Sequence, residues 1–339
     1  MKRLIALIAL SIVLGVGGLL LAAGGTLLDP DVWVPPAGRS AWWAWAALLA
    51  VAGWVLPAAK VRILTAFQGT RLAWLHAWFV HVSGVFGTAM TPSGTGGGPA
   101  MVVALYRYGV PYGRGMGVAV QFFVLDLAAF AMIIPFGLAY LVWGSGLRVS
   151  LGLEIVALAT ALAATAAAIF LGRFPRPLVR LSLWASNRRW LARFRGAIRK
   201  GARDYYRATL GFRRMAPRAV AALLGLSAAV WLANFLLFWV VLRAFGLPAG
   251  AGEIVALLSV LTLGSFVVPT PGASGFMELV TSLALSGRAG EDSVAGPVLY
   301  WRLATFYVVY LLGPIVSWAI VLDRPPRWLR RRVRGLRKR

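Results

Sequence analysis

Cysteine is absent from this 339-residue chain, which excludes a disulfide framework and any thiolate metal site or nucleophile. Histidine is nearly absent. His76 and His81 are too few for a His-based metal site, and their spacing matches one helical face less closely than a spacing of four would. Acidic residues number only 10, and all charged residues together make up 13% of the chain, about half the globular average. A Walker loop, a nucleophile elbow and a pair of catalytic carboxylates are also missing. No metal and no cofactor are expected.

What is present is apolar. Hydrophobic residues make up 60% of the chain, more than a soluble domain can hide but a content that lipid accommodates. The 35 Lys and Arg give a net charge of +25, which in a soluble protein would point to nucleic acid. Here the basic residues fall between hydrophobic runs, so the positive-inside rule accounts for them, and nucleic acid is not an expected partner. The start, Met1-Lys2-Arg3 before an apolar run to Leu28, has the outline of a signal peptide, with Ala22-Ala23-Gly24 as a weak cleavage site. The run is longer than a signal core of about 7–15 residues, and it reads as a retained first span.

Runs at 4–28, 42–59, 115–143, 149–172, 219–246 and 294–322 are read as full spans, against the about 20 helical residues a crossing needs. Two further apolar regions, 72–109 and 254–287, are broken by Thr91-Pro92-Ser93-Gly94-Thr95-Gly96-Gly97-Gly98-Pro99 and by Pro269-Thr270-Pro271-Gly272-Ala273-Ser274-Gly275. Charge sets the topology. The segment 173–218 carries 14 Arg and Lys against Asp204, and 323–339 carries nine against Asp323, so both belong in the cytoplasm, as do Lys60, Arg62 and Arg71. Asp29, Asp31, Glu291 and Asp292 belong outside. Crossing parity is then satisfied only if 72–109 enters and leaves from the cytoplasm and 254–287 from outside.

The expected fold is therefore an all-α polytopic membrane protein, with about six full transmembrane helices and two oppositely oriented re-entrant hairpins in an inverted repeat. Residues 1–172 and 219–322 form the two membrane halves. Residues 173–218 form a basic amphipathic linker on the anionic inner leaflet, and 323–339 a basic tail. Both termini face the cytoplasm of a bacterial inner membrane.

Broken backbone at membrane depth must line a cavity or be buried in protein. Gly96, Gly97 and Gly98 in the first turn, and Pro271, Gly272 and Gly275 in the second, are read either as a cradle for a phosphate-bearing headgroup or as close packing of two hairpins. Pro92 marks the first tip. Asp126 and Arg302 lie deep in their spans, where a lone charge costs on the order of 2.5–3.5 kcal/mol. Both are expected to face the interior, as substrate or proton-coupling groups or as a structural ion pair across the repeat axis. Glu278 either faces a cavity or caps freed amides of its own helix. Arg107, between Tyr106 and Tyr108, is read as an inside anchor or a lipid-phosphate ligand.

At these residues the sequence resembles the lysylphosphatidylglycerol synthase transmembrane region family. Thr91-Pro92, Gly96-Gly97-Gly98-Pro99 and Leu105-Tyr106-Arg107-Tyr108-Gly109 are similar to its first signature. Val268-Pro269-Thr270-Pro271-Gly272-Ala273-Ser274-Gly275-Phe276-Met277-Glu278 is similar to its second, and Arg302 with Thr305 to an Arg-x-x-Thr stretch of the last span. The resemblance implies a flippase-like domain that moves a phospholipid or polyprenyl-phosphate lipid. With the sequence ending at Arg339, lipid aminoacylation is not expected of it. Many members carry an acid after the first turn, where this chain has Gly98 and Pro99, so weight shifts to Glu278 and Asp126. The alternatives are a membrane-embedded lipid-modifying enzyme or a non-transporting partner of a glycosyltransferase; the partners considered besides lipid are a glycosyltransferase or further copies of the chain in a homo-oligomer.

Overall fold

The computed structural model describes residues 2–23, 32–143, 159, 176–188, 195–265, 268–286 and 294–323. The expected span 149–172, the four acids assigned to the outside and the tail beyond Asp323 lie outside these residues. The regular elements among the described residues are all helices, α1 (Lys2–Ala23), α2 (Ser40–Phe67), α3 (Trp74–Ala89), α4 (Gly97–Arg107), α5 (Tyr112–Trp143), α6 (Arg176–Ser186), α7 (Arg195–Arg213), α8 (Pro217–Phe245), α9 (Ala251–Ser265), α10 (Phe276–Ser286), α11 (Ala295–Arg302) and α12 (Val308–Leu322). A π-helical segment, Leu303–Tyr307, joins α11 to α12 without a break.

Four of these stretches, Ser40–Phe67, Tyr112–Gly137, Pro217–Phe245 and Ala295–Leu322, are long and apolar enough to cross a membrane. They carry outward stripes at helical spacing, such as Leu48, Val51 and Val55 on α2, and Leu311, Ile315, Trp318 and Leu322 on α12. Such side chains suit contact with acyl chains. The expected span 42–59 is too short. Nothing after Lys60 breaks a helix until Gly69, which takes φ +78°, so α2 runs on to Phe67. That extension carries Lys60 out of the loop assigned to it and into the protein.

Buried apolar side chains form two large clusters. One joins α8, α9, α10 and α11 around Phe238, Ile254 and Trp301. The other joins α2, α3, α4 and α5 around Leu64, Val80, Met101 and Leu105. A smaller cluster of Met90, Phe306, Val309 and Tyr310 lies where the two broken segments meet. α1 lies along α10, where Gly18 allows close approach to the Gly275 backbone.

The described helices of the basic linker, α6 and α7, differ in how far they are buried. α7 packs along α5, burying Tyr205, Ala208 and Phe212. Gly117 of α5 is the small residue that admits Ala208, and the Gln68 side chain donates to the Ala208 carbonyl at 3.2 Å. α6 keeps Leu181 and Trp184 exposed.

Candidate functional site

The two Pro/Gly breaks begin with the same backbone turn and meet. Pro92 and Pro271 face each other in an isolated antiparallel β-bridge. In the first turn Ser93 and Gly94 are left-handed, with φ 52° and 68°. In the second, the residues in the same register, Gly272 and Ala273, take φ 59° and 53°. α4 then starts at Gly97 and α10 at Phe276, five residues beyond each bridged proline.

Several of the turn amides are satisfied within the turns, which leaves fewer of them for a phosphate cradle. Gly94 N donates to the Thr91 carbonyl at 3.2 Å, and Ser274 N to the Pro271 carbonyl at 3.2 Å. Gly96 N donates to Thr91 Oγ1 at 2.7 Å, and Gly275 N to Glu278 Oε2 at 2.8 Å. A buried backbone group away from water needs such a partner. Pro99 stands in the register position of Glu278, so the first turn has no carboxylate to do this and Thr91 serves instead. The first-turn glycines serve packing: a Cβ on Gly96 would lie 2.6 Å from the Gly87 carbonyl oxygen, and one on Gly87 2.6 Å from the Gly96 carbonyl oxygen. Only Gly98 meets nothing closer than the Phe123 ring edge at 3.6 Å. Gly87→Val is accordingly expected to separate α3 from α4 and cost about 1–3 kcal/mol, read as a lower unfolding midpoint in micelles.

Arg302 and Asp126 both face the interior, but they do not pair with each other. Arg302 Nε donates to Glu278 Oε1 at 2.8 Å, and the Tyr307 hydroxyl donates to the same oxygen at 2.7 Å. Glu278 is fully buried and Arg302 is 6% exposed. Arg302 Nη2 has no acceptor, and the guanidinium lies 4.1 Å from the Phe306 ring centre. Of the two alternatives for Glu278, the cap is the one seen, on Gly275 N; the carboxylate does not line the cavity and instead also neutralises the buried Arg302. Nearby, the Ser11 hydroxyl donates to the Pro271 carbonyl at 3.2 Å, tying α1 to the second tip.

Asp126 pairs instead with Lys60. Lys60 Nζ also donates to Ser227 Oγ at 3.1 Å and to the Phe122 carbonyl at 3.4 Å. Lys60, read as a loop cation, is the residue that sequence reasoning misplaced. The signal was available, because Ala50, Gly53, Trp54, Pro57 and Lys60 recur at helical spacing and share one face. That face lines a cavity of about 250 Å³. His81 of α3, Phe122 and Asp126 of α5, Trp231 and Asn234 of α8, and Thr305 of the π segment complete the wall. The π segment lies between the cavity and the second tip: Thr305 lines the cavity and Phe306 packs against Gly272.

Arg107 does not stand free as a phosphate ligand. Its Nη2 donates to the carbonyls of Ile320 at 3.1 Å and Val321 at 2.8 Å, where a cation offsets the negative end of a helix. His76 stacks on Tyr108 with ring centres 4.3 Å apart.

The match to known proteins covers this whole arrangement. The family model described as "Lysylphosphatidylglycerol synthase TM region" matches residues 6–313. The chain belongs to this family. A relative, "UPF0104 membrane protein" from Archaeoglobus fulgidus, is 23% identical over 283 residues, covering 82% of this chain and 86% of its own. The family and the apolar helices together make this family member a multi-pass membrane protein. Its matched region takes in both turns, both buried ion pairs and the whole cavity wall.

Proposed function

We propose that this protein moves a lipid between the leaflets of the cytoplasmic membrane, with both termini on the cytoplasmic side. One arrangement carries the reading: two helix-break-helix segments touch tip to tip at Pro92 and Pro271, beside a cavity that holds an ion pair among membrane-crossing helices. Broken helices meeting at mid-membrane around a polar cavity suit alternating access. The antiparallel tip contact and the matched turn register support hairpins entering from opposite faces as an inverted repeat. In this reading the cavity, rather than the turn amides, receives the headgroup, because several of those amides are already paired. The tips act as the moving contact between halves.

The test is reconstitution in liposomes containing a fluorescent phospholipid, with a membrane-impermeant quencher added outside. The protein is expected to expose the inner-leaflet fraction that protein-free liposomes shield. Equal shielding with and without folded protein overturns the proposal.

A further inference from the structure

The two large apolar clusters divide the long spans between them. α2 gives Ala46 to the cluster around Phe238, and Ala58, Val61 and Leu64 to the cluster around Met101. The last span divides in the same way, with Val298 and Trp301 in the Phe238 cluster and Val316 and Ile320 in the Met101 cluster. The Phe238 cluster takes in α9 and α10, which flank the second tip. The Met101 cluster takes in α3 and α4, which flank the first. Each packed unit also has polar bonds of its own. Arg302 meets Glu278 inside one, and Arg107 holds the Ile320 carbonyl inside the other.

Both of these divided helices are weakened where they change cluster. Pro57 lies inside α2, between Ala46 and Ala58. A proline there removes a helical hydrogen bond and crowds the Gly53 carbonyl one turn back. The last span turns π over Leu303–Tyr307, between Trp301 and Val316. Prolines and π turns are where helices bend. α5 and α8 also run from one cluster to the other. They cross between Leu125 and Phe130 and between Leu223 and Phe235, with neither a proline nor a π turn on the way. The two weak points lie at one level. Pro57 and Thr305 both line the cavity, and Trp54 Nε1 donates to the Ala304 carbonyl at 3.0 Å.

We infer that Pro57 and the π segment are a paired hinge, on which the unit carrying the second tip swings against the unit carrying the first. α5 and α8 are its unbroken spine, and the Trp54–Ala304 bond ties the two bending points together. One irregular turn would be a local feature. Two at the boundary between packed units, bonded to each other, define an axis. A swing about it changes the width of the cavity and parts the Pro92–Pro271 contact, because one proline belongs to each unit. That the motion carries lipid rests on the transport reading above. The hinge itself does not, because it follows from how the helices are packed and broken.

The test is double electron–electron resonance on the full chain in lipid nanodiscs. The chain has no native cysteine, so spin labels attach only where cysteines are introduced. Leu283→Cys with Trp318→Cys puts one label on each unit, at positions 56% and 66% exposed. Trp45→Cys with Leu283→Cys keeps both labels on the second-tip unit and serves as the control. A bend of about 20°, acting over the about 16 Å of helix from Tyr307 to Trp318, moves the Trp318 label by about 5 Å. The expected result is two distances about 5 Å apart for the Leu283–Trp318 pair and one for the control. Pro57→Ala, which restores the missing helical bond, should leave the first pair with a single distance. Trp54→Phe, which keeps a ring but loses the N–H that reaches Ala304, should change the weights of the two distances, and it keeps the test open if Pro57→Ala does not fold. A single distance for Leu283–Trp318 in the wild type, an unchanged distribution in the folded variants, or equal splitting in the control overturns the inference. Two distances in protein that moves no lipid in liposomes leave the hinge standing and sink the transport reading. A single distance in protein that does move lipid has the opposite outcome, so the two proposals fail separately.

Discussion

Glu278→Ala is expected to be the most damaging single substitution among the described residues, lowering stability by about 3–5 kcal/mol. Three donors converge on this carboxylate: Arg302 Nε, the Tyr307 hydroxyl and the Gly275 amide. The carboxylate is fully buried, so no water replaces it when it is removed. Arg302 would be left as an uncompensated buried cation, with Nη2 already lacking an acceptor. The cap at the start of α10 would go at the same time, and with it the anchor of the second turn. Glu278→Gln is expected to fall between wild type and Ala. Its amide oxygen can still accept from Gly275 or Tyr307, but it cannot neutralise Arg302. Unfolding free energies by steric trapping in bicelles would measure the series. A change below about 1 kcal/mol for Glu278→Ala would mean that Arg302 is solvated in a way the buried geometry does not allow.

Lys60→Met is expected to lower stability by a similar amount, about 3–5 kcal/mol, because it leaves Asp126 without its cation deep in a span. The double variant Lys60→Met/Asp126→Leu should recover most of that loss, since replacing a buried ion pair by apolar groups of similar volume is often neutral or stabilising. Recovered folding need not recover function. If the cavity receives the headgroup, the double variant folds and moves lipid no faster than empty liposomes. If it folds and transports like wild type, the pair is structural and the site lies elsewhere. Stability in bicelles and lipid movement in liposomes, measured on the same preparations, separate these outcomes.

Much of the fold was legible in the chain. The expected 219–246, 115–143 and 294–322 runs end within a few residues of α8, α5 and the α11–α12 unit. The breaks at 91–99 and 269–275 also lie where the structure bends. These features depend on residues close in sequence, on apolar runs for helices and on proline and glycine for turns. The site was less legible. Asp126, Glu278 and Arg302 were recognised as buried charges, but the alternative of a pair between Asp126 and Arg302 gives way to two pairs, Lys60 with Asp126 and Glu278 with Arg302. The first-turn glycines fit both the cradle and the packing readings on sequence grounds, and the close approach of Gly87 to Gly96 shows a packing role for Gly96.

The sequence by itself determined that this is a multi-pass helical membrane protein and where its helices break. Composition along about 20 residues suffices for that, because the bilayer admits only segments that satisfy their own backbone. The tertiary structure alone decided which charges meet. Lys60 is 66 positions from Asp126 and 167 from Ser227, and which face each helix turns inward is set by packing against its neighbours. That packing gave the cavity its carboxylate, turned the lysine beneath it and brought the two prolines together.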